Sequence, residues 1–369
     1  MNKSIFLLLS LSLCLNFLSA QTLTKEAMNN FASYTQKPDI SVLVKAKKNI
    51  DDAYKTKKDS INYRVNLVRG LIYSSLAYAD SSRKISYTKD PINEALFSLD
   101  KLKNPKLNYS HEAEIQFIRK QLSYSWLYKA QKAANAYNYQ EAYASFLWVD
   151  SLSNTKYIAR HNLAVISEKL GYSDKAIQYY TYLISDKKRS LPEYYLSLSN
   201  LYEQSRNSSK ALAVIQEGRK IFPGNRDLLF KEVNTYADSG EYEMVSKLIE
   251  HTLEYAPDNL NLLYLGGFSF EMIGNEKKAE EYYKKIISLE QNNYEGNYAL
   301  GLLYLNSYLK SADKKKDLLN DSARLLVQAG EIKPNAVNVL KLLSVLYNLT
   351  GNKVELQRVK HKLSQIILN

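Results

Sequence analysis

The chain has 369 residues, a formal net charge of +12, 45% hydrophobic residues and a single cysteine. That cysteine, Cys14, sits in an apolar N-terminal leader, so the chain beyond it is excluded from disulfide frameworks, cysteine metal centres and dithiol redox chemistry. The positive charge would suit an anionic partner, but it is carried mostly by Lys, a point charge less suited than Arg to bidentate phosphate recognition.

Residues 1–20 read as a signal peptide. Lys3 gives a basic start, an apolar run follows from Ile5 to Leu18, and Leu18-Ser19-Ala20 places small residues before Gln21. The run is shorter than the roughly 20 apolar residues of a membrane span, and no later stretch approaches that length without charges. Leu13 precedes Cys14 where a lipoprotein leader carries a small residue, so the expectation is cleavage near Ala20, no lipid, and no transmembrane segment in the mature chain. The expected location is exported, in the periplasm or associated with the envelope.

Beyond the leader, residues 41–57 show apolar side chains at helical spacing. Residues 62–80 form a second helical pattern. A third follows at 90–103 after an insertion at 81–89, and Asp90-Pro91 supplies a cap and a first-turn proline for it. From Ser123 onward the pattern becomes periodic. Units start near Ser123, Tyr157, Pro192, Arg226, Leu260, Tyr294 and Val337, at steps of about 34 residues with the last step enlarged by an insertion at 309–321.

The columns of this repeat have a physical reading. The eighth position is small in nearly every unit (Ala130, Ala164, Ser199, Val233, Gly267, Gly301, Ser344), and so is the twentieth (Ala142, Ala176, Ala211, Val245, Ala279, Ser322, with Leu356 last). Small side chains let two helices approach closely. Large rings (Tyr202, Tyr236, Phe270, Tyr304, Tyr347) occupy the eleventh position and fill the remaining core. Gly171, Gly240, Gly274 and Gly351 are placed to end the first helix of a pair, and Pro223, Pro257 and Pro334 to end the second.

On these columns the chain resembles the tetratricopeptide-repeat (TPR) family across 123–369, with residues 21–122 resembling degenerate N-terminal TPR-like helices and the whole resembling exported proteins of the Bacteroidetes type. The resemblance implies an all-α fold, a right-handed α-α superhelix (TPR solenoid), with about seven repeats. It also implies a concave groove lined by the first helix of each pair. In this sequence the groove positions include Tyr128, His161, Asn162, Asn200, Phe230, Lys231, Asn234, Tyr264, Phe268 and Tyr298, with Glu271 among their neighbours. Rings and amides in that mixture suit an extended peptide.

No catalytic constellation accompanies the repeat. His111, His161, His251 and His361 fall in separate units without metal-ligand spacing. No nucleophile elbow, phosphate loop or dinucleotide fingerprint is present. The expectation is a non-enzymatic scaffold of the cell envelope, without cofactor or metal, that captures another protein or peptide within an envelope complex; nucleic acid is not expected. The alternative is a basic solenoid that binds an anionic polymer, whether nucleic acid, polysaccharide or a lipid surface.

Overall fold

A computed structural model describes residues 20–152, 156–313 and 315–367, and these contain helices and turns with no strand. The leader expected at 1–20 therefore lies outside the described residues except for Ala20. No helix among the described residues is long and apolar enough to cross a membrane. The fold is all-α, as the periodicity requires, and divides into two compact units that meet in sequence at Ser190 and Leu191.

The first unit begins with a helix over 20–36 (α1), followed by α2 (Ile40–Asp52), α3 (Lys57–Ser60), α4 (Tyr63–Ala79), α5 (Pro91–Asp100), α6 (Pro105–Ser110), α7 (Glu112–Asn135), α8 (Tyr139–Leu152), α9 (Tyr157–Lys169) and α10 (Ser173–Ser185). From α7 to α10 each helix packs on the next, and α4 packs on α2, α5 and α7. The helical stretch expected at 41–57 is α2, and it is not solitary. Ala27 and Phe31 of α1 are buried in one core with Leu43, Ala46 and Ile50 of α2. The reading that began a repeat at Ser123 is corrected by α7, which starts at Glu112 and carries Ile118 and Leu122 into that same core. The division drawn between 122 and 123 thus falls inside a helix.

The second unit comprises α11 (Pro192–Gln204), α12 (Ser208–Ile221), α13 (Arg226–Asp238), α14 (Tyr242–Tyr255), α15 (Leu260–Met272), α16 (Glu276–Leu289), α17 (Tyr294–Lys310), α18 (Lys316–Ile332), α19 (Val337–Leu349) and α20 (Lys353–Ile367). Odd-numbered helices from α9 to α19 begin at the residues where the period placed them. Asn225, Asn259 and Asn293 cap three of them, each side-chain oxygen accepting from the third backbone N–H beyond, at 2.9, 3.0 and 2.9 Å. The insertion at 309–321 lengthens the helices around it. Both α17 and α18 have 17 residues, against 13 and 14 in α15 and α16. The extra turn is anchored, because Ser307 and Lys310 donate to Glu276 at the start of α16, at 2.8 and 3.1 Å.

Glycine meets the left-handed requirement after the first helix in four hairpins and a non-glycine residue in two, while a third, Arg83, takes φ 58° in the longer connection after α4. Gly171, Gly240, Gly274 and Gly351 have φ of 71, 73, 80 and 72°. Tyr137 and Arg206 hold the same place after α7 and α11 at φ 58°. A side chain in that region costs about 1–2 kcal/mol, which the short antiparallel connection enforces.

The expected columns form the interior. Ala130, Ala164 and Ser199 are fully buried, as are Ala142, Ala176, Ala211, Val245 and Ala279. Within α15 the fit is tightest: a Cβ added to Gly267 would lie 2.5 Å from the Tyr283 ring. Of the eleventh-position rings, Tyr236, Phe270 and Tyr304 are buried and hence structural, while Tyr202 and Tyr347 are half-buried.

One core feature departs from the apolar pattern. Arg69 on α4 is only 2% exposed. It binds Asp51 of α2 at 2.6 Å and also pairs with Glu94 of α5. Its guanidinium lies 4.5 Å from the Tyr54 ring and 4.6 Å from the Tyr73 ring. Asp51 further accepts from Lys47 at 2.8 Å and from the Tyr73 hydroxyl at 2.8 Å. Burial alone would raise the Asp51 pKa, but these hydrogen bonds and charges outweigh it and hold the carboxyl below its ordinary value.

Because the Gly267 backbone touches an aromatic face, Gly267→Ala is expected to destabilise the second unit by about 1–3 kcal/mol through overpacking. Gly224→Ala, whose Cβ meets open space, should be close to neutral. Melting temperatures of the two variants, followed by circular dichroism, check the contrast.

Candidate functional site

The residues predicted to line a groove are distributed over both units. In the first unit, Tyr128 on α7 is 41% exposed. It lines a cavity of about 530 Å³ with Trp126, Lys129 and Lys132 of the same helix and with Arg83 and Asn93 across from it. His161 and Asn162 lie on α9. His161 is half-buried, and burial lowers its pKa. The Asn162 amide donates to the carbonyl of Ile158 at 2.9 Å, within its own helix.

The second unit gathers the larger set. Asn200 of α11 and Phe230, Lys231 and Asn234 of α13 line one open concavity of about 510 Å³, completed by Leu196 and Tyr255. The geometry follows from the repeat: residues at equivalent places on successive first helices lie side by side. Asn200 and Asn234 are exposed, while Phe230 is half-buried and presents one edge. Lys231 is not a free charge, since it pairs with Glu203 of α11 at 2.5 Å. Tyr255 and Leu196 escaped the sequence reading. Tyr255 belongs to a second helix, and its sequence signal is its place two residues before Pro257, at the last position of α14.

Further along, Tyr264 and Phe268 of α15 stack with centroids 6.4 Å apart and planes 7° apart. Tyr242 of α14 meets Phe268 edge-on at 5.1 Å. Tyr264 approaches the buried Tyr283 of α16 at 6.1 Å, and the Tyr283 hydroxyl donates to Glu271 of α15 at 2.9 Å. Tyr298 of α17 stacks on Tyr294 at 5.7 Å. The rings of this face fall in three places: Phe230 in its concavity, the Tyr264–Phe268 pair, and the Tyr294–Tyr298 pair.

Electrostatics distinguish the Tyr264–Phe268 pair. Burial raises the Tyr264 pKa, and the negative charges of Glu271 and Glu295 add to it. Glu271 is itself half-buried, and burial lifts its carboxyl above the ordinary range, assisted by the charge of Glu276 and opposed by the Tyr283 hydrogen bond and by Lys310. Other carboxylates whose pKa departs from the ordinary value move downward, beside a lysine, an arginine or a capping N–H. Among the described residues no group of three or more His, Cys, Asp or Glu is placed to hold a metal ion.

A carboxyl whose pKa is raised on folding adds stability below its unfolded pKa, roughly 4.3, and loses it as pH rises through the folded value. Glu271→Gln is therefore expected to raise the melting temperature at pH 7. The gain should shrink as pH falls and vanish well below the unfolded value, where wild-type Glu271 is protonated in both states. Thermal melts of the two proteins across that range check the sign.

No curated protein sequence matches the chain. Among solved structures, a crystal structure of MamA protein is similar over 47% of this chain and 91% of its own, at 17% identity and a TM-score of 0.42. YrrB, described as a TPR protein with an unusual peptide-binding site, is similar over 53% and 96%, at 14% identity and a TM-score of 0.44. MamA 41-end from Desulfovibrio magneticus RS-1 is similar over 49% and 94%, at 16% identity and a TM-score of 0.39. Likeness at this level carries no functional inference. The sequence itself is more direct: residues 157–185, which span α9 and α10, match the tetratricopeptide repeat family model.

Proposed function

We propose that this chain is a non-enzymatic binding scaffold that captures an extended segment of another protein along the first-helix face of its second unit. The observation that carries the reading is the concavity on α11 and α13, where Asn200 and Asn234 flank the Phe230 ring in a space of about 510 Å³. Amides at that spacing offer both a donor and an acceptor to a peptide backbone, and the ring covers an apolar side chain. The half-buried Tyr264–Phe268 pair extends the surface along the same row of helices. The leader read at 1–20 supports an exported protein of the Bacteroidetes type, working in the periplasm or against the envelope as part of a complex.

A few partly buried aromatics carry most of the energy of such interfaces, about 2 kcal/mol or more each on truncation. Phe230→Ala combined with Tyr264→Ala is expected to abolish co-precipitation of the partner recovered from native envelopes, with helical content unchanged. Charge reversal at the exposed Lys315 and Lys316 should leave capture intact. Loss of binding in the lysine variant with retention in the aromatic one, together with a steep fall in affinity with salt, would replace this reading with the anionic-polymer alternative.

Export is checked separately. N-terminal sequencing of the secreted protein is expected to start at or near Gln21 and to find no lipid. A lipid-modified Cys14 at the terminus would overturn it.

A further inference from the structure

The first-helix face of the second unit holds an electrostatic arrangement that the chain's overall charge conceals. With a net charge of +12, most partly buried acids of this unit have found a cation. Glu203 pairs with Lys231, Glu232 with Arg219, Glu276 with Lys310 and Glu280 with Lys284. Glu271 is different. Among the described residues it accepts a hydrogen bond from the Tyr283 hydroxyl at 2.9 Å, a neutral donor. Lys310, the cation that acts on it through space, is tied to Glu276 at 3.1 Å.

The surroundings of Glu271 are aromatic. Tyr283, which holds it, lies 6.1 Å from Tyr264, and Tyr264 stacks on Phe268 at 6.4 Å. Tyr264 also senses the negative charge of Glu295 on the neighbouring α17. Glu295 is paired with Lys333 at 2.8 Å, so it adds a weaker field. Tyr264, Phe268 and Glu271 are all half-buried, each keeping an edge in solvent. Ring faces carry negative quadrupole density and attract a cation that comes within about 6 Å of the centroid. A half-buried carboxylate without a counter-charge completes the attraction, since a cation supplied from outside relieves its desolvation penalty.

We infer that Tyr264, Phe268 and Glu271 form a receptor for a cationic side chain, a lysine or arginine, on the segment the scaffold captures. This rests on the groove reading above and narrows it: the partner segment is basic at the residue that meets α15. It also assigns the surface a preference opposite to that expected of a basic solenoid. The raised pKa of Glu271 adds a dependence on acidity, because the site loses its charge at a higher pH than an ordinary surface carboxylate would. Tyr283, Tyr264, Glu276 and Lys310 are the titratable groups that face it.

The test uses the full chain and a panel of immobilised decapeptides identical except at a central lysine, arginine, acetyl-lysine or glutamate. Retention is expected on the lysine and arginine peptides, at least about tenfold weaker on acetyl-lysine and glutamate. Glu271→Gln, which keeps the hydrogen bond from Tyr283, should remove that tenfold preference. Glu250→Gln, an exposed carboxylate already paired with Lys278, should keep it. The preference should also fade as pH drops through the raised Glu271 value. Equal retention of lysine and acetyl-lysine peptides, retention of none, or a preference that survives Glu271→Gln would each overturn the inference. The groove reading fails independently: it falls if Phe230→Ala with Tyr264→Ala still captures the native partner. If that pair abolishes capture while Glu271→Gln leaves it unchanged, the groove stands and the cation receptor does not.

Discussion

Close approach of two helices, backbone against ring, is the constraint from which the rest of this molecule follows. A Cβ on Gly267 would strike Tyr283 at 2.5 Å, one on Gly301 would strike Leu326 at 2.9 Å, and one on Gly218 would strike Tyr195 at 2.9 Å. Each contact fixes the depth at which a second helix lies on a first. Since packed interiors tolerate neither voids nor overlap, the small residue and its large partner must recur together, and they do. Connections this short then demand a left-handed residue after the first helix, which explains the four glycines and also the strained Tyr137 and Arg206. With the second helices held behind, one face of each first helix is left over, and that is where Asn200, Phe230, Asn234 and Tyr264 lie.

Much of this was legible in the sequence, because a repeat writes the same constraint several times. The starts of α9, α11, α13, α15, α17 and α19 coincide with the read period. What escaped was written only once. The helix over 20–36 has Leu23, Ala27 and Phe31 at helical spacing, but it stands outside any repeat and beside the leader. The first turns of α7 were invisible for the same reason, since no other unit has an equivalent extension. The insertion at 309–321 could have looped out; its helical outcome depends on Ser307 and Lys310 reaching Glu276, a contact between residues about thirty apart.

The site was legible in kind more than in arrangement. Helical spacing identified the residues of the exposed face, and α11 and α13 bring four of them around one concavity. The sequence could not reveal which charges remain available. Lys231 reads as a free cation until Glu203 is seen against it, and Glu271 reads as one acid among many until its aromatic enclosure is seen. Lys231 and Glu203, like Lys310 and Glu276, lie about one repeat apart, so their pairing is decided by the register of neighbouring helices and not by any local string. The same register puts Tyr255, from a second helix, at the rim of a surface otherwise made by first helices.

The buried guanidinium of Arg69 bears on assembly rather than on binding. In a chain of near-identical hairpins, nearly every interface is an apolar stripe against an apolar stripe, and any of them is a passable substitute for another. Repeat proteins misassemble by such exchange. The contact of α4 with α2 and α5 is not interchangeable, because Asp51 and Glu94 must both arrive for Arg69 to be buried without a large electrostatic loss. A neighbour that brings only one of the two acids leaves the guanidinium half-paired in the core, at a cost of about 3–5 kcal/mol. The core of α2, α4 and α5 is therefore selective in a way an apolar stripe is not: it is complete only when both acids arrive together.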